Sequence, residues 1–525
     1  MAAVSVPRSR PAVLAALYVG ALAISAFTIR RGGAEFDEGV VLQAAARVAD
    51  GQTPYADFSW AYGPAHAYLL GWSFDLFEPS MLGWRVLRSL VDAGVATTVY
   101  VLVRREGGPA WPALVGWAIA ACAMAQPTSA SPFAPALLLA LLAVGAATAS
   151  RPLPGGPLVP AALTALSAAW RLDFALYAAA AVIVALSLRR PASLRDRLGA
   201  VGIYAGATVG FVLLVYGPFL IAVGPADLFD ALIGTSLADR DYWTLPFPLA
   251  YDGSLGLWPP VDLAEDVKHV LGFYAPLLAV LGLALLIARA ALEARADRAV
   301  SARSAALATL AGGCLLYLLS RADEFHATPI IVVLAAALPA ALASQRRRVA
   351  IGTVATVILT ALLLTYGLAN RVSALVRPPD LAAIDLPVAD GALAPPGEAR
   401  ALARMAAIVG RAVPPGEPIY AITRRSDLVR FNQPLVYLVA DRPNAIDHEF
   451  AIETSAADQR ALVGDLASDP PRAIVRWTDP ISVEREPNLR GHPTGWRILD
   501  RWVTGHYRLL ERAGYYEILV PRTPG

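Results

Sequence analysis

Ala34-Glu35-Phe36-Asp37-Glu38-Gly39 stands just beyond the first apolar run of the chain, Pro11 to Ile29. Gly51-Gln52-Thr53-Pro54-Tyr55-Ala56-Asp57-Phe58 and then Tyr62-Gly63-Pro64-Ala65-His66 follow it. Two neighbouring carboxylates and a crowd of aromatic groups thus fall between the first two apolar runs. Whether this stretch is a loop at the edge of a bilayer or part of a soluble domain decides the fold, and composition answers. Of 525 residues, 56% are hydrophobic and only 16% charged, and the mean hydropathy is +0.51. A soluble domain carries nearer a quarter charged residues, so most of this chain belongs in a membrane.

A membrane span needs about 20 mostly apolar residues. Eleven candidates meet or approach that: Pro11 to Ile29, Leu82 to Val103, Trp111 to Ala125, Pro132 to Ala149, Leu158 to Trp170, Phe174 to Leu188, Leu198 to Val223, Val270 to Ala288, Ala305 to Leu319, Thr328 to Ala343 and Ala350 to Ala369. Ala65 to Phe77 is apolar but short and is expected at the interface. The basic start, Met1 to Pro11, leads into an apolar run without a small-residue cleavage site, and reads as a retained first span.

Arginine supplies the positive charge, and Lys268 is the only lysine. Basic residues favour the cytoplasmic loops. With the N-terminus inside, Arg8 and Arg10, Arg104-Arg105, Arg151, the Arg189 to Arg197 group, the Arg289 to Arg303 group and Arg346-Arg347-Arg348 all fall on that one side. The loop 30–82, the turn at Arg171, the loop 224–268 and the turn 321–326 then face outward. The plasma membrane is the expected location.

Residues 1–376 are therefore expected to form the transmembrane domain and 377–525 a small soluble α/β domain outside the cytoplasm. Arg377-Pro378-Pro379-Asp380 and Ala394-Pro395-Pro396-Gly397 read as linker. Pro418 to Ile422, Leu435 to Val439 and Arg472 to Arg476 have strand composition. Thr454 to Leu466 has helical spacing behind a start signal at Thr454 to Asp458. The tail's polar runs, Asp441 to Asn444 and Asp447-His448-Glu449, suit either glycan contacts or loop turns.

Three polar constellations fall on the outward side. Asp37 and Glu38 are neighbours, which a helix points about 100° apart, so one of the two can act as a base while the other orients it or binds substrate. The plainer alternative is that both open an interfacial helix, where negative charge complements the dipole. Trp170-Arg171-Leu172-Asp173 places a charged pair between two apolar runs. That is expensive in lipid unless the charges pair or face water; a boundary ion pair and a phosphate contact are equally good readings. In Ser320-Arg321-Ala322-Asp323-Glu324-Phe325-His326, arginine suits a bidentate phosphate contact and histidine adds a donor. Asp323 and His326 are spaced to share a helix face. Tyr62, His66, Asp57 and Asp173 are expected to line the acceptor side or support the loop. Asp92 is placed to pair with Arg88 four residues earlier. The charged aromatic loop Asp239 to Trp243 and Trp258-Pro259-Pro260 suits an acceptor surface or an aromatic belt.

The ordered series of Asp37-Glu38-Gly39, Gly51-x-x-Pro54-Tyr55-x-Asp57-Phe58 and Tyr62-Gly63-Pro64 resembles the first outward loop of GT-C membrane glycosyltransferases. These include the protein mannosyltransferase-like, aminoarabinose transferase-like and actinobacterial arabinofuranosyltransferase-like groups. The Arg321-x-Asp323-x-x-His326 string is similar to bacterial members, whereas His-Pro-Pro of many relatives is replaced by Tyr62-Gly63-Pro64-Ala65-His66. The resemblance spans roughly Pro11 to Ala369. It implies a GT-C helical fold and an inverting glycosyltransferase that uses a polyprenyl-phosphate sugar as donor. On it, Asp37 is the expected base and Glu38 its positioner or the acceptor's. Arg321 and His326, with Arg171 and Asp323, are expected at the lipid phosphate. The acceptor is a hydroxyl of glycan, lipid or protein. A transporter or flippase of a lipid-linked sugar is the rival, against which stands the lack of paired, broken-helix halves.

Cys122 and Cys314 both lie in apolar runs and give no disulfide framework or zinc site. A divalent metal at Asp323, Glu324 and His326 is conceivable, but no ligand set is fixed and no metal is predicted. There is no glycine-rich phosphate loop, nucleophile elbow or basic aromatic surface. Nucleotide-dependent enzymes and nucleic-acid binding are accordingly disfavoured.

Overall fold

The computed structural model describes residues 11–32, 36–105, 109–124, 133–150, 153–189, 193–238, 274–288, 302–343, 378–428, 433–449, 455–478 and 494–522, with isolated positions between 240 and 376. The helical part runs α1 (Pro11–Ala26), α2 (Phe36–Ala49), α3 (Ala65–Leu76), α4 (Met81–Arg104), α5 (Trp111–Ala123), α6 (Phe133–Ala147), α7 (Leu158–Trp170), α8 (Leu172–Ser187), α9 (Leu194–Phe229), α10 (Tyr274–Ala288), α11 (Ala302–Ser320) and α12 (Glu324–Ala343). Three are long and apolar enough to cross a membrane alone: α4, α9 with its extension to Ala238, and α11. Among the described residues, seven shorter apolar helices accompany them. Most of the eleventh predicted span, Ala350 to Ala369, and of the loop 239–273 lies outside the described residues.

Small residues let the helices approach closely, as expected where lipid offers no hydrophobic drive for association. Gly116 of α5 lies against the Ala335 carbonyl of α12, and Gly313 of α11 receives the ring of Tyr177 from α8. One core, rich in alanine, runs through α4, α5, α6, α8, α11 and α12. At the end of the bundle opposite α2, Arg105 donates to the Gly145 carbonyl and Arg303 reaches Thr148. The predicted polar loop from Gly224 begins instead as helix: Gly224 adopts φ +83°, and the chain continues through a π turn, Asp230–Gly234.

The C-terminal part contains β1 (Ala382–Ala383), β2 (Leu393–Ala394), α13 (Pro396–Ala412), β3 (Ile419–Thr423), α14 (Leu435–Val439), α15 (Ala456–Ser468), β4 (Ala473–Trp477), α16 (Ile498–His506), β5 (Tyr507–Ala513) and β6 (Tyr516–Pro521). The main sheet has order β3-β4-β6-β5, with β3 parallel to β4 and the other pairs antiparallel. Helix α15 starts where Ser455 caps it reciprocally with Asp458, both within the predicted start signal.

Leu435 to Val439 has strand composition but is a short helix. Pro434, already in the right-handed region at φ −61°, leads into it. A short run apolar throughout does not distinguish strand from helix by period; contact with α2 decides. That contact belongs to a second core, which joins Val40, Leu42, Trp60, Leu70 and Trp84 to Val436, Tyr437, Ile419 and Ile518. The C-terminal domain and the first loop therefore share one hydrophobic interior at one end of the bundle.

Candidate active site

Asp37 and Glu38 both lie in the first turn of α2, and their fates differ. Glu38 is fully buried. Arg85 of α4 holds it bidentately, Nε donating to Oε1 and Nη2 to Oε2, each at 2.7 Å. Arg85 also donates to the carbonyls of Ile29, Arg31 and Gly32, just beyond α1. One guanidinium thus ties the end of the first span, the start of α2 and the second span together. Asp37, one position earlier, is exposed.

The loop after α2 returns the chain to this point. Asp57 is exposed and closes a turn by accepting from the Thr53 N–H at 2.7 Å. The Tyr55 hydroxyl donates to the Tyr62 carbonyl at 2.5 Å, while its ring meets Phe219 of α9 edge-on. Gly63 donates to the Trp170 carbonyl at 3.1 Å. A side chain at Gly63 would collide with the carbonyls of Ala168 and Ala169, so only glycine lets the loop backbone lie on the end of α7.

That contact brings Tyr62 to Arg171. The guanidinium lies 5.5 Å from the centre of the Tyr62 ring. Burial pushes the Tyr62 phenol up to about 12; the Arg171 charge opposes this, and the Asp37 and Asp173 charges add to it. Asp37 and the Arg171–Asp173 pair therefore act on one phenol.

Arg171 separates α7 from α8 in extended conformation. Its Nε and Nη2 donate to the two oxygens of Asp173 at 2.9 and 2.7 Å. The Arg171 charge also lies 4.9 Å from the centre of the Tyr317 ring of α11. Tyr317 in turn packs on His326, with ring centres 4.6 Å apart. The His326 Nδ1 and backbone N–H both engage Asp323 Oδ1, at 2.7 and 2.8 Å, and Arg321 Nε donates to Asp323 Oδ2 at 2.9 Å. Asp323 precedes α12 and caps it, so the predicted Asp323–His326 partnership forms through a cap. Burial raises the Asp323 carboxyl, but His326 and Arg321 together bring it below its ordinary range.

His66 stands apart from this array. It is fully buried at the start of α3, with its ring 4.5 Å from Trp84, 5.6 Å from Trp170 and 6.3 Å from Trp60. Burial, helped by the Arg88 charge, lowers the imidazole to about 3, so it is neutral at physiological pH. Arg88 pairs with Asp92 at 2.9 Å, as their spacing predicts, and Ser25 of α1 also bonds Asp92.

Two residues central to this geometry escaped the sequence reading. Arg85 had a signal, an arginine inside a membrane span, which lipid tolerates only with a partner. Tyr317 had none, since an aromatic residue in an apolar helix is ordinary. Among the described residues no group of three His, Cys, Asp or Glu side chains is placed to hold a metal ion.

The arrangement offers an exposed carboxylate at the start of α2, a tyrosine, two arginines each steered by its own aspartate, and a histidine. It suits a substrate with a proton to lose at one side and a phosphate at the other. The whole chain superimposes on ArnT from Cupriavidus metallidurans bound to undecaprenyl phosphate with a TM-score of 0.52, over 98% of each chain at 13% identity. The chain has the GT-C fold. ArnT in the apo state gives 0.53 at 12% identity over 97% of each chain. A further GT-C protein, the archaeal oligosaccharyltransferase AglB from Archaeoglobus fulgidus, was solved with an inhibitory peptide and a dolichol-phosphate. It gives 0.50 at 13% identity, over 96% of this chain and 74% of its own. By sequence alone the chain matches no protein-family profile and no curated protein. At such identities it is the GT-C fold that is shared, and residue roles rest on this chain's own geometry.

Proposed function

We propose that the chain is an integral-membrane inverting glycosyltransferase. It takes a hexose or pentose from a polyprenyl-phosphate carrier and passes it to a hydroxyl on cell-envelope glycan, glycolipid or glycoprotein. The observation that carries this reading is the convergence of Tyr62, Arg171 with Asp173, and Arg321 with Asp323 and His326, linked through Tyr317, with the Asp37 charge felt by the Tyr62 phenol. The carriers bound to ArnT and AglB, undecaprenyl phosphate and dolichol-phosphate, support the donor class.

In this reading Asp37 takes the proton of the acceptor hydroxyl as its oxygen attacks the anomeric carbon. The bond from that carbon to the phosphate oxygen breaks, and the electron pair leaves with polyprenyl phosphate. Arg171, Arg321 and His326 meet the charge that grows on that oxygen. Asp173 and Asp323 hold the two guanidinium groups in orientation. Glu38, committed to Arg85, fixes the start of α2 and so the place of Asp37. A single displacement inverts the anomeric configuration. The site and the C-terminal domain would face away from the cytoplasm, with the N-terminus inside, in the plasma membrane.

The test is the purified protein in lipid, offered a panel of polyprenyl-phosphate sugars with a mixed acceptor extract. One donor is expected to release free polyprenyl phosphate in step with transferred sugar of inverted anomeric configuration. Intact donor crossing the bilayer with no release from any carrier would sink the transferase reading in favour of a flippase.

A further inference from the structure

The tail's polar run, Asp441 to Asn444 and Asp447 to Glu449, suits glycan contacts or turns by sequence. In the structure its key side chains point into the protein. Arg442, Asn444 and Glu449 are all buried. Arg442 Nε and Nη2 donate to the Val413 carbonyl at 3.1 and 2.7 Å, which fixes the segment to the end of α13. From there it grips the first loop at two points. Glu449 pairs with Arg47 of α2 at 2.5 Å, with their side chains 1% and 8% exposed. Asn444 steadies the carboxylate at 3.1 Å, and Arg47 also donates to the Ile446 carbonyl. Next to this pair, the Asp447 carbonyl accepts from the Ser59 N–H at 2.7 Å, immediately before Trp60 and Tyr62. A third hold lies at the other end of α2. Gly39, two residues beyond Asp37, is so close to the Leu435 backbone of α14 that any side chain there would collide.

We propose that the C-terminal domain is a clamp that sets Asp37 against Tyr62 and the two arginine–aspartate pairs, with Arg47 and Glu449 as its positioning residues. The proposal rests on the glycosyltransferase reading of the site. Its physical basis is the stiffness of a short helix. Asp37 and Arg47 are ten positions apart, about 15 Å along α2, so a tilt allowed at Arg47 reaches the carboxylate. A misplacement of about 1 Å, caused far from the chemistry, can cost about 10²-fold in rate. The buried charge pair resists that tilt, because separating it strands a charge away from water. The Ser59 contact couples the same segment to Tyr62, so one loop of the domain governs both the helix and the loop that follows it.

Glu449→Gln, Arg47→Met and the double variant, made in the full chain and assayed in lipid, test this. The expected result is a turnover per folded molecule about 10–100-fold below wild type, a donor KM within about threefold, and a double variant no worse than the worse single. Hydrogen exchange supplies a readout independent of catalysis. Amides of 36–49 are expected to exchange about tenfold faster in Glu449→Gln, with 81–104 unchanged. Unchanged exchange across 36–49 overturns the clamp whatever the activity. Faster exchange with wild-type turnover per folded molecule overturns the positioning role. A wild-type protein that transfers no sugar from any donor removes the underlying reading, while exchange in α2 reads the clamp on its own.

Discussion

Asp37→Asn lowers turnover about 10²–10⁴-fold, the range a positioned general base contributes, and leaves the donor KM within a few-fold. Asparagine keeps the size of the side chain but cannot take a proton. The donor phosphate, in this account, is held by Arg171, Arg321 and His326, so donor binding survives. Asp37 is exposed at the first turn of α2, and its replacement leaves folding intact. Glu38→Gln gives the opposite pattern. It leaves Arg85 facing a neutral amide in a buried site, so stability and yield fall first, and turnover per folded molecule falls less than in Asp37→Asn. Steady-state release of polyprenyl phosphate, normalised to folded protein, separates the two neighbours. Full turnover by correctly folded Asp37→Asn ends the assignment of the base.

The largest expected loss of stability follows from Arg85→Met. Removing one partner of a buried ion pair costs about 3–5 kcal/mol, because the other charge is left uncompensated. Here the loss extends further, since Arg85 serves the Glu38 carboxylate and the carbonyls of Ile29, Arg31 and Gly32 together. Glu38→Met with Arg85→Met removes both charges and is expected to be more stable than Arg85→Met alone. Thermal unfolding in detergent and the yield of folded protein report both results. An Arg85→Met protein as stable as wild type would show that the pair does not hold α1, α2 and α4 together.

Much of this architecture is legible before any coordinates, because lipid imposes a length and a polarity that leave a mark in every span. Leu158 to Trp170 matches α7 residue for residue, and Leu82 to Val103 falls one residue inside α4 at each end. Outside the membrane that constraint lapses. The helix at Leu435 to Val439 and the pairing of Tyr516–Pro521 with Ala473–Trp477 depend on contacts distant in sequence. The candidate site divides in the same way. Charges at span ends are conspicuous because lipid makes them costly, so Asp37, Arg171, Asp173, Arg321, Asp323 and His326 stand out one by one. The link between the two arginine–aspartate pairs through Tyr317 does not, nor does the division between Asp37 and Glu38, since the Glu38 partner Arg85 lies 47 positions away. The tail segment Asn444 to Glu449 reads as surface because it is polar. Its buried role against α2 exists only once the first loop and the C-terminal domain share a core.

The measurement that tests the central claim most directly is an experimental structure of the protein in lipid with polyprenyl phosphate bound. The account predicts the phosphate within hydrogen-bonding distance of Arg171, Arg321 or His326, beside Tyr317, with its ester oxygen turned toward the space in front of Asp37. A phosphate seated elsewhere in the bundle, with these side chains still paired only to one another, would contradict it.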